Sequence, residues 1–210
     1  MNEYLQDLFS AFQLVDSRYY FTEVFRDIDN YHQEQEAVIQ STENSFSAEL
    51  FRHWRNIMEE NHKIDQYNNL ALDFDVRKDW FDYRIIENNK QSYRPDLVLH
   101  LSQLNWEPEF QKVYVEVKTN PNPFVKDDIQ KITNAIYNLQ FERGVFISVN
   151  SDFTLLTNLI RNIVIRENRR LTQIQINIDW NRIFLFHSTS NNNGTNNFSQ
   201  PISFLELINE

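Results

Sequence analysis

Residues 112–119 read Lys-Val-Tyr-Val-Glu-Val-Lys-Thr, and this stretch decides the fold. Three valines at alternate positions are separated by Tyr114, Glu116 and Lys118, which is the period of a β-strand with two different faces. The valine face is typical of a hydrophobic core, whereas the other face carries an acid and a base side by side. The segment 120–123 contains two prolines and ends the strand. We therefore predict a central strand with one apolar face and one face that carries charged side chains.

The chain after this strand alternates helical and extended patterns. The spacing of apolar residues predicts a helix over 124–141, with Gly144 in the left-handed position that follows a helix. A short buried strand over 145–149 and an amphipathic helix over 153–165 come next. The remaining predictions are strands at 172–178 and 182–187, a Ser/Asn-rich loop at 188–197 and a helical turn at 204–208.

The chain before the strand is helical first and extended later. The first 40 residues have a helical pattern, the polar stretch 41–45 reads as a loop and helix start, and a second helix is expected over roughly 46–62. Aromatic residues and Ile at 80–86 predict a strand, so that 79–101 forms a hairpin. The central order is then α-β-β-β-α-β, a mixed α/β layout with a central sheet.

Composition excludes several classes of protein. The chain has 210 residues, 41% of them hydrophobic, which suffices for one sizeable core. Cys is absent, which excludes disulfides, zinc–thiolate sites and Cys nucleophiles, and the two Gly cannot build a phosphate-binding glycine loop. No long apolar run and no signal-peptide pattern occur, so we expect a cytoplasmic protein without a membrane partner.

The net charge of −10 is unevenly distributed. Residues 1–50 carry two basic and ten acidic residues, a net charge of −8, whereas residues 51–210 carry 18 and 20, a net charge of −2. We therefore divide the chain into an acidic helical extension, 1–44, and a main domain, 45–210.

The acid and base of the central strand have a counterpart earlier in the chain. Glu116 and Lys118 project to one side of their strand, and Asp96 stands at the start of the second arm of the predicted hairpin. If these strands pair, Asp96 and Glu116 meet. Two carboxylates and a backbone carbonyl form a hard-oxygen site that suits Mg²⁺ or Mn²⁺, and a neighbouring Lys can offset phosphoryl charge or orient a water.

At these residues the sequence resembles the PD-(D/E)XK nuclease superfamily, in Pro95-Asp96 and in Glu116-Val117-Lys118. The resemblance implies a restriction-endonuclease-like core, with the Asp at the start of the second core strand and the Glu-x-Lys on the third. Many members also carry a Glu in the first core helix, for which Glu49 is the best match. The implied metal ligands are Asp96, Glu116, the carbonyl of Val117 and Glu49.

The function that this resemblance implies is metal-dependent hydrolysis of phosphodiester bonds, with DNA as the expected substrate. Lys118 would position the attacking water, and a dimer would permit double-strand cleavage in restriction, defence or repair. Candidate substrate contacts are Gln130 and Lys131 of the following helix, Arg94 and Tyr114.

Other interpretations stay open. Glu116 and Lys118 are also what the solvent side of an ordinary amphipathic strand would carry. A catalytically inactive nuclease-like module that binds nucleic acid or protein is the main alternative function. The acidic segment 1–44 could dimerise, dock a protein partner or act as an autoinhibitory element.

Overall fold

The computed structural model describes most of the chain in six stretches, namely 1–20, 32–74, 95–101, 108–119, 125–190 and 195–209. Five helices lie in them: α1 (Glu3–Leu14), α2 (His32–Met58), α3 (Lys126–Tyr137), α4 (Phe153–Gln173) and α5 (Phe204–Asn209). The strands are β1 (Leu70–Phe74), β2 (Leu97–Leu101), β3 (Gln111–Lys118), β4 (Arg143–Val149), β5 (Ile183–Ser190), β6 (Asn196–Phe198) and β7 (Ile202–Ser203). Within these stretches no helix is long and apolar enough to cross a membrane.

All seven strands belong to one mixed sheet, in the order β1-β2-β3-β4-β5-β6 with β7 paired to β5. The first three strands are antiparallel neighbours, β3, β4 and β5 are parallel, and β6 and β7 run antiparallel to β5. Parallel neighbours need a crossover connection, which α3 provides between β3 and β4, and α4 provides between β4 and β5. The predicted α/β class with a central mixed sheet is confirmed.

The alternation in β3 arises because both faces of the sheet are covered. Val113, Val115 and Val117 pack in the core that α1 and α2 form with the sheet. Tyr114 belongs to the opposite core, among residues of α3, α4 and α5. Glu116 on that same side is 2% exposed. The polar face of the strand is therefore buried at Glu116, whose charge needs partners inside the protein.

Several predicted elements are confirmed, although the helix predicted at 153–165 extends eight residues further, to Gln173. The strands at 112–119, 145–149 and 182–187 correspond to β3, β4 and β5, and the helices at 124–141, 153–165 and 204–208 to α3, α4 and α5. The strand expected at 172–178 is wrong, because α4 continues to Gln173 and is followed by irregular chain. The strand expected at 80–86 lies outside the described residues, and the described partner of β2 is β1.

The helix start expected at 41–45 is also wrong, since α2 runs without interruption from His32 to Met58. Serine and threonine at these positions favour a helix start, but packing against α1 and the sheet outweighs this weak preference. The boundary placed between 44 and 45 falls inside this helix. In addition, α1 contributes Leu5, Leu8 and Phe12 to the same core as the valines of β3. The first helix is therefore built into the main fold.

Gly144 does not end a helix, because it lies within β4. A Cβ atom at this position would stand 2.3 Å from Cγ2 of Ile132 on α3, so the glycine allows the helix to approach the strand closely. The left-handed conformation after α3 is taken by Gln140, whose φ is 59°. The small size of glycine is thus used here for packing.

Candidate functional site

Six charged side chains meet at the carboxyl end of β3, where α2 and α3 approach from opposite sides of the sheet. We refer to them as the carboxylate–lysine cluster: Glu43, Asp96, Glu116, Lys118, Asp128 and Lys131. The region beyond the carboxyl ends of sheet strands is where open α/β folds usually bind ligands. The cluster is therefore a candidate functional site by its position as well as by its composition.

Asp96, the residue just before β2, is held by two hydrogen bonds to β3. Its backbone N–H donates to the carbonyl of Val115 over 3.1 Å, and its Oδ2 accepts from the N–H of Val117 over 2.6 Å. Burial raises the pKa of Asp96 to about 6, against the N–H of Val117 and the ammonium of Lys118, which act to lower it. The N–H and C=O groups of one strand residue point to the same side of the strand. The carbonyl of Val117 therefore points to the side of β3 on which Asp96 lies.

Glu116 is the most deeply buried acid of the cluster. Its Oε1 accepts from the hydroxyl of Tyr114 over 2.8 Å, and its Oε2 accepts from Nζ of Lys131 over 3.1 Å. Burial, followed by repulsion from Asp96, raises the pKa of Glu116 well above its ordinary value. Burial therefore makes this carboxyl group easier to protonate than an ordinary Glu, and a further cation nearby would act in the opposite direction.

Lys118 connects the two helical layers at the end of β3. Its Nζ donates to Oε2 of Glu43 over 3.3 Å and lies 3.7 Å from Oδ2 of Asp128. Burial acts to lower the pKa of Lys118, but the carboxylates of Asp128, Glu43 and Asp96 outweigh it and raise this pKa above its ordinary value. Lys118 is therefore a firmly charged ammonium held between α2 and α3.

Lys131 provides the second ammonium. Its Nζ donates to Oδ1 of Asp128, one turn earlier on α3, over 2.9 Å, and to Oε2 of Glu116 over 3.1 Å. The cluster opens to solvent at its two lysines, whose side chains are 24% (Lys118) and 29% (Lys131) exposed, whereas the side chain of Asp128 is 4% exposed. A solute would therefore reach the carboxylates along the lysine side chains.

The charges of the cluster do not balance. Four carboxyl groups face two ammonium groups, so full ionisation would leave two excess negative charges. Burial is the main cause of the raised pKa values of Asp96, Glu116 and Glu43, and repulsion from a neighbouring carboxylate adds to it in each case. A divalent cation would supply the missing charge.

The donor set also fits such a cation in its chemistry. Carboxylate and carbonyl oxygens are the ligands that Mg²⁺ and Mn²⁺ prefer. Oδ2 of Asp128 is buried and accepts no hydrogen bond from the described residues, which is a costly arrangement for a carboxylate oxygen. Among those residues no three acidic or His side chains already stand in the arrangement of a metal centre. In this structure the two ammonium groups lie between the carboxylates.

The described contacts of Glu49, which the resemblance suggested as a metal ligand, are with its own helix and not with the cluster. Its carboxylate pairs with Arg52 over 2.6 Å and with His53 over 3.2 Å. The hydrogen bond from Arg52 lowers the pKa of Glu49 below its ordinary value. Glu49 lies six residues after Glu43, about 120° around the helix and about 9 Å along it, so the two cannot serve the same point.

The other predicted residues divide into those that reach the cluster and those that do not. Lys131 belongs to it. Tyr114 is fully buried, so it supports Glu116 from the core and is not placed to contact a substrate. Gln130 donates to Glu167 of α4 over 2.8 Å and is directed away from the site. Arg94 lies outside the described residues.

Sequence reasoning missed two members, Glu43 and Asp128, although each left a signal. Glu43 precedes Ser47, Leu50 and Trp54 by four, seven and eleven residues, which is the spacing of the buried face of α2. An acid on a buried helix face needs a specific reason. Asp128 lies in the first turn of α3, directly after the strand that carries the Glu-x-Lys, where an acid is usually explained by the helix dipole.

Comparison with known proteins found no matching family model, no matching curated protein and no matching solved structure.

Proposed function

We propose that the chain is a divalent-metal-dependent nuclease whose active site is the carboxylate–lysine cluster. The observation that carries this proposal is the convergence of Asp96, Glu116 and Lys118, which come from separate parts of the sequence, at one partly open point where buried negative charge exceeds positive charge. Perturbed carboxyl groups that gather in this way are typical of catalytic sites.

The order of the elements supports a restriction-endonuclease-like core. The described elements α2, β1, β2, β3, α3 and β4 follow one another as α-β-β-β-α-β. Asp96 stands immediately before the second of these strands, and Glu116 and Lys118 lie on the third. These are the positions that the resemblance to the PD-(D/E)XK superfamily implies. Glu43, on the first helix of this order, takes the role that we expected of Glu49.

The metal would be held by Asp96, Glu116 and the carbonyl of Val117, with Glu43 as a further carboxylate. Bound there, a divalent cation supplies a Lewis acid that polarises a phosphoryl oxygen and lowers the pKa of a water. The hydrogen bond from the N–H of Val117 orients the carboxylate of Asp96. The hydroxyl of Tyr114 does the same for Glu116. These contacts keep the two ligands in place before a substrate arrives.

Lys118 would act on the reacting phosphate. Its ammonium forms ion pairs with Glu43 and Asp128, and its side chain is 24% exposed. From this position it can hold the attacking water and offset charge that develops on the scissile phosphate. Water adds to phosphorus as the bond to the 3′ oxygen breaks, which leaves a 3′-hydroxyl, protonated from water, and a 5′-phosphate.

We take DNA as the substrate, in a restriction, defence or repair role, on the resemblance alone. The test is cleavage of plasmid DNA, single-stranded DNA and RNA by the purified chain in Mg²⁺, Mn²⁺ or EDTA. Glu116→Gln and Lys118→Met should each lower the rate by about a hundredfold or more. Lys126→Met is the matched control, since Lys126 is exposed at the start of α3. Circular dichroism of each variant establishes that it is folded.

Cleavage that persists in EDTA, or in both site variants, would disprove the assignment of the site. Absence of cleavage for all three substrates, together with retained DNA binding, would favour the inactive nuclease-like module instead.

A further inference from the structure

Lys131 makes two short contacts that bear on how a metal would enter the cluster. Its ammonium bridges Oε2 of Glu116, 3.1 Å away, and Oδ1 of Asp128, 2.9 Å away. These oxygens come from β3 and α3, which also share an apolar core through Tyr114, Ile129 and Ile132. The ammonium thus stands between two carboxylates, in the position that a bridging cation would take.

The second oxygen of Asp128 shows that these contacts leave negative charge unsatisfied. Asp128 is 3% exposed, and its Oδ2 accepts no hydrogen bond from the described residues. Nζ of Lys118 approaches this oxygen to 3.7 Å, which is beyond hydrogen-bond distance. A buried carboxylate oxygen that accepts no hydrogen bond, and whose nearest ammonium is 3.7 Å away, can accept a closer cation.

The side chain of Lys131 can leave this position. It is 29% exposed, and its four-carbon chain can carry the ammonium outward into solvent without movement of α3. Glu116 and Asp128, by contrast, are buried at 2% and 3% exposure and cannot follow it. The two carboxylates are therefore a fixed pair, and Lys131 is their movable partner.

We propose that Lys131 is a built-in competitor for the divalent cation, and that binding of the cation to Glu116 and Asp128 releases its ammonium to solvent and to the phosphate of a substrate. The inference rests on the proposed function for the identity of the cation. It adds Asp128 as a ligand and Lys131 as a residue that couples metal binding to substrate binding. Because such coupling is reciprocal, a bound phosphodiester should also tighten metal binding.

Calorimetric titration with Mg²⁺ and Mn²⁺ tests this competition. Lys131→Gln keeps hydrogen-bond donors near both carboxylates but removes the charge, so its metal affinity should exceed that of the wild type by about tenfold or more. Lys126→Gln removes a charge from the same helix at an exposed position and should change the affinity less than about twofold. Unchanged or weaker metal binding by Lys131→Gln would overturn the proposal.

A second measurement uses the wild-type chain and needs no variant to fold. Acetylation of individual lysines by an amine-reactive reagent is followed by mass spectrometry with and without Mg²⁺. The rate at Lys131 should rise several-fold when Mg²⁺ is added, while that at Lys126 stays constant. A rate at Lys131 that does not change, or that falls, would contradict release of the ammonium.

The two proposals fail in different ways. Tighter metal binding by Lys131→Gln in a chain that cleaves no nucleic acid would sustain the competition and disprove the nuclease. Metal-dependent cleavage, with neither tighter metal binding by Lys131→Gln nor faster acetylation of Lys131 in Mg²⁺, would sustain the nuclease and disprove the competition. Absence of metal binding by the wild type and by Lys131→Gln alike would disprove both.

Discussion

Asp96→Asn should stabilise the protein at neutral pH, which is an uncommon outcome for the replacement of a half-buried charged residue. The oxygen of Asn can still accept the hydrogen bond from the N–H of Val117. The substitution removes a carboxylate that burial makes unfavourable, and it relieves the repulsion that Asp96 exerts on Glu116. Residues that serve function at a cost in stability behave in this manner.

The magnitude follows from the pKa of Asp96. Burial raises this pKa from its ordinary value of 3.8 to about 6 in the folded chain. The stabilisation due to the protonated form is therefore fully present below the unfolded value and is lost as the pH rises through about 6. A difference of about two pKa units, at about 1.36 kcal/mol each, amounts to about 3 kcal/mol above that pH. Asn does not ionise and avoids this loss.

Chemical unfolding followed by tryptophan fluorescence measures the effect, because Trp54 and Trp180 are buried on opposite sides of the sheet. The free energy of unfolding of Asp96→Asn should exceed that of the wild type by up to about 3 kcal/mol at pH values above about 7, and the excess should shrink towards zero near pH 4. Asp65→Asn, at an exposed position, should change it by less than about 0.5 kcal/mol. An Asp96→Asn variant that is less stable than the wild type at neutral pH, or whose excess stability is independent of pH, would refute the reasoning.

Three further substitutions test contacts at the site and elsewhere in the fold. Tyr114→Phe removes the hydroxyl that donates to Glu116 over 2.8 Å and should lower the free energy of unfolding by about 1 to 3 kcal/mol; an unchanged value would mean that this bond does not support the carboxylate. Gly144→Ala would place a Cβ 2.3 Å from a methyl group of α3 and should cost about 1 to 3 kcal/mol, so a melting temperature equal to that of the wild type would exclude the close approach. Asp7→Asn breaks the half-buried pair with Lys63, whose atoms are 2.6 Å apart, and should cost about 2 kcal/mol and speed proteolysis within α1, whereas equal proteolysis would show that the pair does not hold this helix.

The central strand could be predicted because its pattern is local. Alternating valines specify both the strand and the face that enters the core, and the resulting placement of Glu116 and Lys118 on the other face is correct. The proline-containing segment and the helical spacing after it likewise specify α3. In each case the nearest neighbours in the sequence determine the structure.

The contribution of Glu43 on α2 to the cluster could not be predicted, because it depends on where that helix begins. A helix start at 41–45 puts Glu49 in the first turn, whereas the continuous helix puts Glu43 level with the end of β3. The continuity of α2 comes from its packing against α1 and the sheet, which are distant in sequence. The role of Gly144 could not be predicted from local sequence either, because it depends on contact with Ile132 of α3.

In the folded chain the first helix of the acidic extension is part of the core. Asp7 accepts hydrogen bonds from Lys63, Gln66 and Tyr67, and the apolar side of α1 packs in the core. Deletion of residues 1–40, which the charge distribution alone would suggest as a test of autoinhibition, would therefore remove part of the core and unfold the protein. Substitution of the exposed acids Glu3 and Asp16 is the sounder way to test a role in docking or inhibition.

The most direct test of the central claim is the rate of Mg²⁺-dependent plasmid cleavage by Glu43→Gln compared with Glu49→Gln. Both acids lie on α2, but only Glu43 contacts Lys118. We predict that Glu43→Gln lowers the rate by about tenfold or more, whereas Glu49→Gln leaves it within about twofold of the wild type. Equal rates for the two variants, or a loss confined to Glu49→Gln, would contradict a metal-dependent active site built on this cluster.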